Sequence, residues 1–212
     1  QTMSTNHELQ KTDNLILPVL ALRGLVIFPG MLLQFDVGRK KSILALSKAM
    51  EDNQEIFLVA QKDLSDNEPN TEQIYSMGIV AKVKQVIRRT DDGVRLFAEG
   101  MYRAEIVSQI SEDPFILADV RAVEMKTFRV SHKTEALIRY TQTLFEEYIQ
   151  NYSRIPPDII IGVVQKKDCG ELADFIASNI MLDYEQKQAI LEELHPVKRL
   201  EKLVEILKNE IQ

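Results

Sequence analysis

A single cysteine, Cys169, stands among 212 residues, so the chain cannot close a disulfide within itself, and nothing in it asks for an oxidising compartment. The lone thiol reads as a packed side chain rather than a nucleophile. No apolar run approaches the ~18 residues that a membrane span needs. The opening QTMSTNHELQKTDN is polar and has no hydrophobic signal core, which makes residues 1–14 a flexible arm. Together these absences predict a cytoplasmic protein with no membrane partner. A basic surplus is missing too: 26 Lys and Arg face 32 Asp and Glu, a formal charge of −6. That is the wrong balance for a dedicated nucleic-acid binder, although it leaves room for a local basic patch.

Glycine is scarce, eight in all, and no two are spaced as G-x-G. The chain therefore carries neither a dinucleotide fingerprint nor a phosphate loop. His7, His132 and His195 lie far apart, without metal-ligand spacing. His195 precedes Pro196 and is read as shaping an extended junction between helices. Asp91-Asp92 and Glu146-Glu147 read as a solvated turn and a solvated helix face. Ser47 and Lys48 are neighbours on a helix and do not face each other. These residues predict no catalytic, cofactor-binding or metal site.

Hydrophobic residues make up 45% of the chain, enough for a core. From Leu15 to about Glu124 the pattern is strand-like. Leu33, Phe35 and Val37 alternate with Gln34 and Asp36. Between them and the buried-strand run EIFLVAQ, the segment RKKSILALSKAM changes to a helical period, with Ile43, Leu46, Ser47 and Met50 on one face. Strand, helix and strand in that order predict a right-handed crossover in a mixed sheet. GIVAKVKQVIRR places Ile79, Ala81, Val83 and Ile87 on one face, with Lys82, Lys84 and Arg88 on the other. Asp92-Gly93 signals a hairpin in which Gly takes the positive φ; VRLFAEG, MYRAEIVSQI and FILADVRAV follow as a meander. From residue 125 onward the period is helical: Leu137, Thr141, Leu144 and Tyr148 form a stripe, with Ile138, Phe145 and Ile149 beside it. Asp168 with Glu171, and Asp183 with Gln186, predict capping boxes. Pro196 suits a helix start. Leu200, Leu203, Val204, Leu207 and Ile211 form a final stripe that meets no stop signal, so the chain is read as a fragment of a longer protein. DIIIGVVQ is greasier than a solvated helix requires.

Two features stand out in LPVLALRGLVIFPGM and its continuation. Pro29-Gly30 can reverse a buried strand without polar residues, because Pro presets φ for one corner of the turn and Gly accepts positive φ at the next. Arg39, Lys40 and Lys41 fall at the start of the first helix, where the exposed backbone N–H groups already make that end positive. Such a cluster is a candidate contact for a partner chain or substrate. Lys82, Lys84, Arg88 and Arg89 read instead as a solvated sheet face.

In order and spacing, these segments resemble the N-terminal domain of the ATP-dependent Lon protease family. The resemblance rests on LPVLALRGLVIFPGM, FDVGRKKSI, IFLVAQKD, YSMGIVAKVKQV and DDGVRLFAEGMYRAEI. It continues through GELADFIASNI, LDYEQKQAILEEL and VKRLEKLVEILKNEI. The chain departs from the usual pattern at Ala21, where the family often has Pro, and at Gly24, where it often has Asp. The resemblance implies an α+β fold: a PUA-like strand-rich lobe over 15–124, a mixed sheet or pseudo-barrel with one helix, then an α-helical bundle over 125–212 that leads into an ATPase. It implies a non-catalytic domain that recognises unfolded or tagged polypeptides and supports a hexamer, with a dimer open to the fragment. ATP, Mg and the Ser-Lys peptidase dyad would belong to later modules. Because PUA-like lobes elsewhere bind RNA, an RNA-binding module is the alternative reading.

Overall fold

The computed structural model describes residues 14–152 and 154–212; all but the last residue of the 1–14 arm lies outside them. Six strands come first: β1 (Leu15–Leu22), β2 (Leu32–Val37), β3 (Glu55–Ala60), β4 (Met77–Arg88), β5 (Val94–Ser111) and β6 (Leu117–Ala122). One helix, α1 (Lys40–Glu51), interrupts them, and a short 3-10 turn covers Thr71–Gln73. Five helices follow: α2 (His132–Asn151), α3 (Pro157–Gln165), α4 (Cys169–Asn179), α5 (Tyr184–Glu192) and α6 (Pro196–Ile211). The order along the sheet is β2-β5-β4-β3-β1-β6, and β5 also pairs with β6. That extra pairing closes five strands into a pseudo-barrel and leaves β2 outside, attached to β5. Closure is possible because β5 runs for 18 residues, and bulges near Val107 and Ile110 bend it.

Strand alternation then sorts the apolar side chains into two cores. Leu17, Val19, Phe57, Val59 and Val80 fill the barrel. Leu20, Leu22, Ile56, Leu58, Ile79 and Ala81 face outward and belong to one continuous cluster with α1 and the helical lobe. β3 is covered on both faces, which is why its sequence is an unbroken apolar run.

Several local expectations change. The parallel pair is β1 with β3, so the crossover runs through β2 and α1 rather than from β2 to β3. VRLFAEG and MYRAEIVSQI form one strand. A register shift between Val83 and Gln85 inverts the phase of β4. Val86 therefore packs on the core while Ile87 is exposed. On α1 the buried face is Ser42, Ala45, Leu46 and Ala49; Ser47 and Met50 face solvent, because the helix begins and packs one position out of phase with its larger apolar residues. In the hairpin, Asp92 rather than Gly93 carries the positive φ, +64°. Gly93 instead meets a close approach, since a Cβ there would stand 3.1 Å from the Val37 carbonyl oxygen. Asp168 accepts from the Glu171 N–H at 3.0 Å, but the reciprocal half of the box is not formed. Asp183 occupies the N-cap of α5 with no side-chain bond. The α2 and α6 stripes do pack as periodicity predicts.

Candidate functional site

The two lobes meet through a buried charge cluster. Arg103 on β5 donates from both terminal nitrogens to the two Asp174 carboxylate oxygens on α4, each at 2.8 Å, and its Nε donates to the Leu191 carbonyl at 2.8 Å. Arg199 on α6 lies 3.4 Å from the same carboxylate, while its Nε donates to the Glu193 carbonyl at 2.8 Å. Arg103 is 3%, Asp174 8% and Arg199 2% exposed, so one carboxylate sits between two guanidiniums away from water. Burial pushes the Arg199 guanidinium down from its ordinary range and Asp174 opposes that; an arginine starts so high that it stays charged. Gly170 leaves room for this packing, since a Cβ there would stand 3.2 Å from Arg199 Nη1. Gln188 donates to the Met77 carbonyl at 3.0 Å, and the Tyr184 hydroxyl donates to the Lys62 carbonyl at 2.7 Å, tying the lobes again on their other side.

Beside the charge cluster runs a groove. Two adjoining cavities, about 490 Å³ and about 730 Å³, share Pro29, Glu171 and Asp174. Apolar groups line much of it: Pro29, Met101, Val123, Met125 and Phe128 on one side of the shared wall, Met31, Leu32, Ile159 and Phe175 on the other. Leu32 is 75%, Met101 48% and Met125 38% exposed. Charges of both signs interrupt the apolar surface: Asp158, Asp168 and Glu171, with Lys126 and Lys166. Such a trough suits an extended chain with apolar side groups better than a compact polar metabolite.

Pro29 and Gly30 sit where the two cavities join. Gly30 has φ +79°, and the Met31 N–H donates to the Phe28 carbonyl at 3.2 Å, closing a turn with Pro and Gly at its two corners. The turn docks on β5: Gly30 donates to the Gly100 carbonyl at 2.8 Å, and Gly100 donates to the Met31 carbonyl at 2.9 Å. A Cβ at Gly100 would stand 2.5 Å from the Phe28 carbonyl oxygen. The apolar segment that Pro29-Gly30 ends, Leu25–Phe28, is largely buried but is not a strand, since β1 stops at Leu22; its turn docks at Gly100, three residues before Arg103.

Arg39, Lys40 and Lys41 lie elsewhere, each in different surroundings. Arg39 is the N-cap of α1, and its guanidinium donates to the Ala21 carbonyl at 2.7 Å, Gln61 Oε1 at 2.8 Å and the Asn67 carbonyl at 3.2 Å. Lys41 lies 3.7 Å from Asp113. Lys40 is exposed. Of the strand cations, Lys84 pairs with Glu99 at 3.2 Å and Arg89 with Asp36 at 2.7 Å. Cys169 is fully buried, and burial, with Asp168 and Glu201 nearby, pushes its thiol up to about 11. Among the described residues no group of three or more His, Cys, Asp or Glu could hold a metal ion, and no helix is long and apolar enough to cross a membrane. Sequence reasoning missed Arg103, Asp174 and Arg199. The only trace was three charged residues inside otherwise core-facing segments.

A strand lobe and a helical lobe, pinned by a buried ion cluster beside an open apolar groove, define a two-lobed α+β binding domain. The chain belongs to the Lon substrate-binding domain family: the model described as the ATP-dependent protease La (LON) substrate-binding domain matches residues 16–209. It is 39% identical over 196 residues to a Lon protease of Desulforamulus reducens, covering 92% of this chain and 24% of that protein. It is 40% identical over 199 residues to a Lon protease of Clostridioides difficile, covering 92% and 25%. The chain thus spans about a quarter of the length of the curated relatives it matches. The fold is similar to the N-terminal domain of a Mycobacterium avium complex Lon protease, with TM-score 0.74, 22% identity, 92% of this chain and 98% of that one. It is also similar to a Lon N-terminal domain protein from Xanthomonas campestris, with TM-score 0.63, 14% identity, 90% and 98%.

Proposed function

We propose that this domain captures unfolded or tagged polypeptides in the groove between its lobes and does no chemistry itself. In the whole protein it delivers them to an ATP-dependent Ser-Lys peptidase, whose nucleotide and Mg lie in other modules, and it supports a hexamer in the cytoplasm. The observation that carries the reading is the exposure of Leu32, Met101 and Met125 along a trough that the Phe28–Met31 turn divides. Apolar side chains left in water at this density lower their free energy by covering, and an extended chain covers them without needing a deep pocket. The groove's mixed charges fit varied sequences rather than one.

Lys40 and Lys41 remain proposed as a secondary contact for acidic polypeptide or a neighbouring subunit; Arg39 contributes mainly by fixing the start of α1. The net charge of −6 favours polypeptide over RNA as the bound partner. The test is affinity for a permanently unfolded, fluorescently labelled protein. Leu32→Asp with Met101→Asp should weaken it about tenfold or more, since burying such side chains is worth roughly 1.5–3 kcal/mol each. The melting temperature should hold, because both residues are exposed. Unchanged affinity in the double variant would remove the groove from the reading.

A further inference from the structure

β2 ends the strand order and, among the described residues, pairs with β5 alone, so its other side is a free edge. The Gly100 N–H donates to the Met31 carbonyl at 2.9 Å, which fixes the phase of the antiparallel ladder. Counting from that bond, Leu33, Phe35 and Val37 turn their backbone groups toward Ala98, Leu96 and Val94 on β5. Leu32, Gln34 and Asp36 turn theirs outward, and among the described residues no other backbone segment meets them.

Edges of this kind are ordinarily guarded by proline, lysine or a bulge. LLQFDV contains neither residue, and its register with β5 runs without a shift from Leu32 to Val37. Its one charge, Asp36, is held by Arg89 at 2.7 Å and Arg95 at 3.0 Å. Hollows flank the strand on its two faces. Phe35 and Val37, with Leu22 and Leu25, line a cavity of about 340 Å³. Leu32 and Gln34, with Phe97, line an open trough of about 740 Å³. The groove between the lobes reaches the start of the same strand, because Leu32, 75% exposed, belongs to its wall.

We propose that the free edge of β2 takes up an extended segment of a captured polypeptide as an added strand, with apolar side chains at alternate positions. This rests on the capture of polypeptides proposed above and names the backbone contact that holds them. Bonds to the outward groups of Leu32, Gln34 and Asp36 are indifferent to sequence, while the alternate side chains of the added strand fall toward the two hollows. A folded chain has already paired its own backbone, so the edge selects unfolded segments. A second copy of this chain suits it less well. Six residues span roughly 20 Å, and a contact one strand deep over that length falls far below the ~1,200–2,000 Å² of a stable interface.

The experiment is amide hydrogen exchange of the 212-residue chain, read residue by residue by NMR, with and without a short peptide that alternates valine and serine. In the free chain the Leu33, Phe35 and Val37 amides should exchange slowly and those of Leu32, Gln34 and Asp36 fast. Saturating peptide should slow the second set about tenfold or more. Two twins of the peptide, N-methylated at the valines or at the serines, keep the side chains and lose the donors of one edge each. One twin should bind about tenfold more weakly and the other should not; equal effects in the two would overturn the proposal. Gln34→Pro removes an outward N–H, a place where an edge strand tolerates proline. It should keep the Phe35 and Val37 amides protected and weaken the peptide about tenfold. Peptide that binds without slowing the Leu32, Gln34 and Asp36 amides, and equally well to Gln34→Pro, strikes the edge and leaves the groove standing. No binding to the wild type strikes both. Slowing of these amides by higher protein concentration alone would give the edge to a second copy and overturn the proposal as well.

Discussion

Asp174 lies between two guanidiniums, and its removal should cost more than removal of either arginine. Asp174→Ala leaves two buried cations facing each other without compensation, a loss of about 3–5 kcal/mol by analogy with other broken buried pairs. Arg199→Met should cost less than Arg103→Met. Arg103 makes the two short bonds of 2.8 Å while Arg199 stands at 3.4 Å, and methionine can fill much of the vacated volume. Urea denaturation of the three variants gives the order directly; an Asp174→Ala variant as stable as wild type would show that the cluster does not hold the lobes. Cys169 provides a second test at this scale. Its thiol is raised from 9.0 to about 11 by burial first and by neighbouring carboxylates second. The folded chain therefore keeps a proton that the unfolded chain releases. This contribution to stability is complete below pH 9 and is lost as pH rises toward 11. In native protein at pH 8 an alkylating reagent should modify Cys169 far more slowly than in urea. Comparable rates would contradict the burial.

Among the elements, the Phe28–Met31 turn and the middle of β5 depend on each other through two glycines for different reasons. Gly100→Ala pushes a methyl against the Phe28 carbonyl at 2.5 Å, a crowding that should cost about 1–3 kcal/mol. It should also shift the turn at the centre of the groove. At Gly30 nothing lies within 4 Å of an added Cβ, so Gly30→Ala pays only for its positive φ, about 1 kcal/mol. Thermal unfolding separates the two, and a larger loss at Gly30 would mean that the turn, rather than its docking, is the tighter constraint. At the start of α1, Lys40→Glu with Lys41→Glu should hold or raise the melting temperature, because acids suit a helix N-terminus. If these lysines touch polypeptide, affinity should fall, and the wild-type affinity should decline with salt, since exposed charges are screened within about 8–10 Å. Affinity unchanged at both salt levels would leave them as solvated cations.

At the scale of the molecule, β6 ends at Ala122 and α2 starts at His132, with an exposed segment between them. The buried cluster nevertheless runs without a break from Leu20 through Leu207. Trypsin should therefore cut first at Lys126 or Arg129, and the two fragments should stay together until denaturant is added. Size-exclusion chromatography after nicking checks this. Fragments that separate at once would show that the shared core and the Arg103–Asp174 pair are too weak to join the lobes.

The sequence alone determined the elements whose cause is local. Period two in LLQFDV, period 3.6 in HKTEALIRYTQTLFEEYIQNY and the Pro-Gly corner each follow from one stretch of chain. The family motifs, read together in order, carried the α+β class and the resemblance to Lon. Features that need two distant segments were decided by the tertiary structure. The β4 bulge that turns Val86 inward depends on where β5 pairs, and the closure of the barrel depends on β5 bending to reach β6. Arg103, Asp174 and Arg199 looked like isolated charges, separated by 71 and 25 residues. A charge can be buried only where its partner arrives in space, and no periodicity along the chain records that meeting.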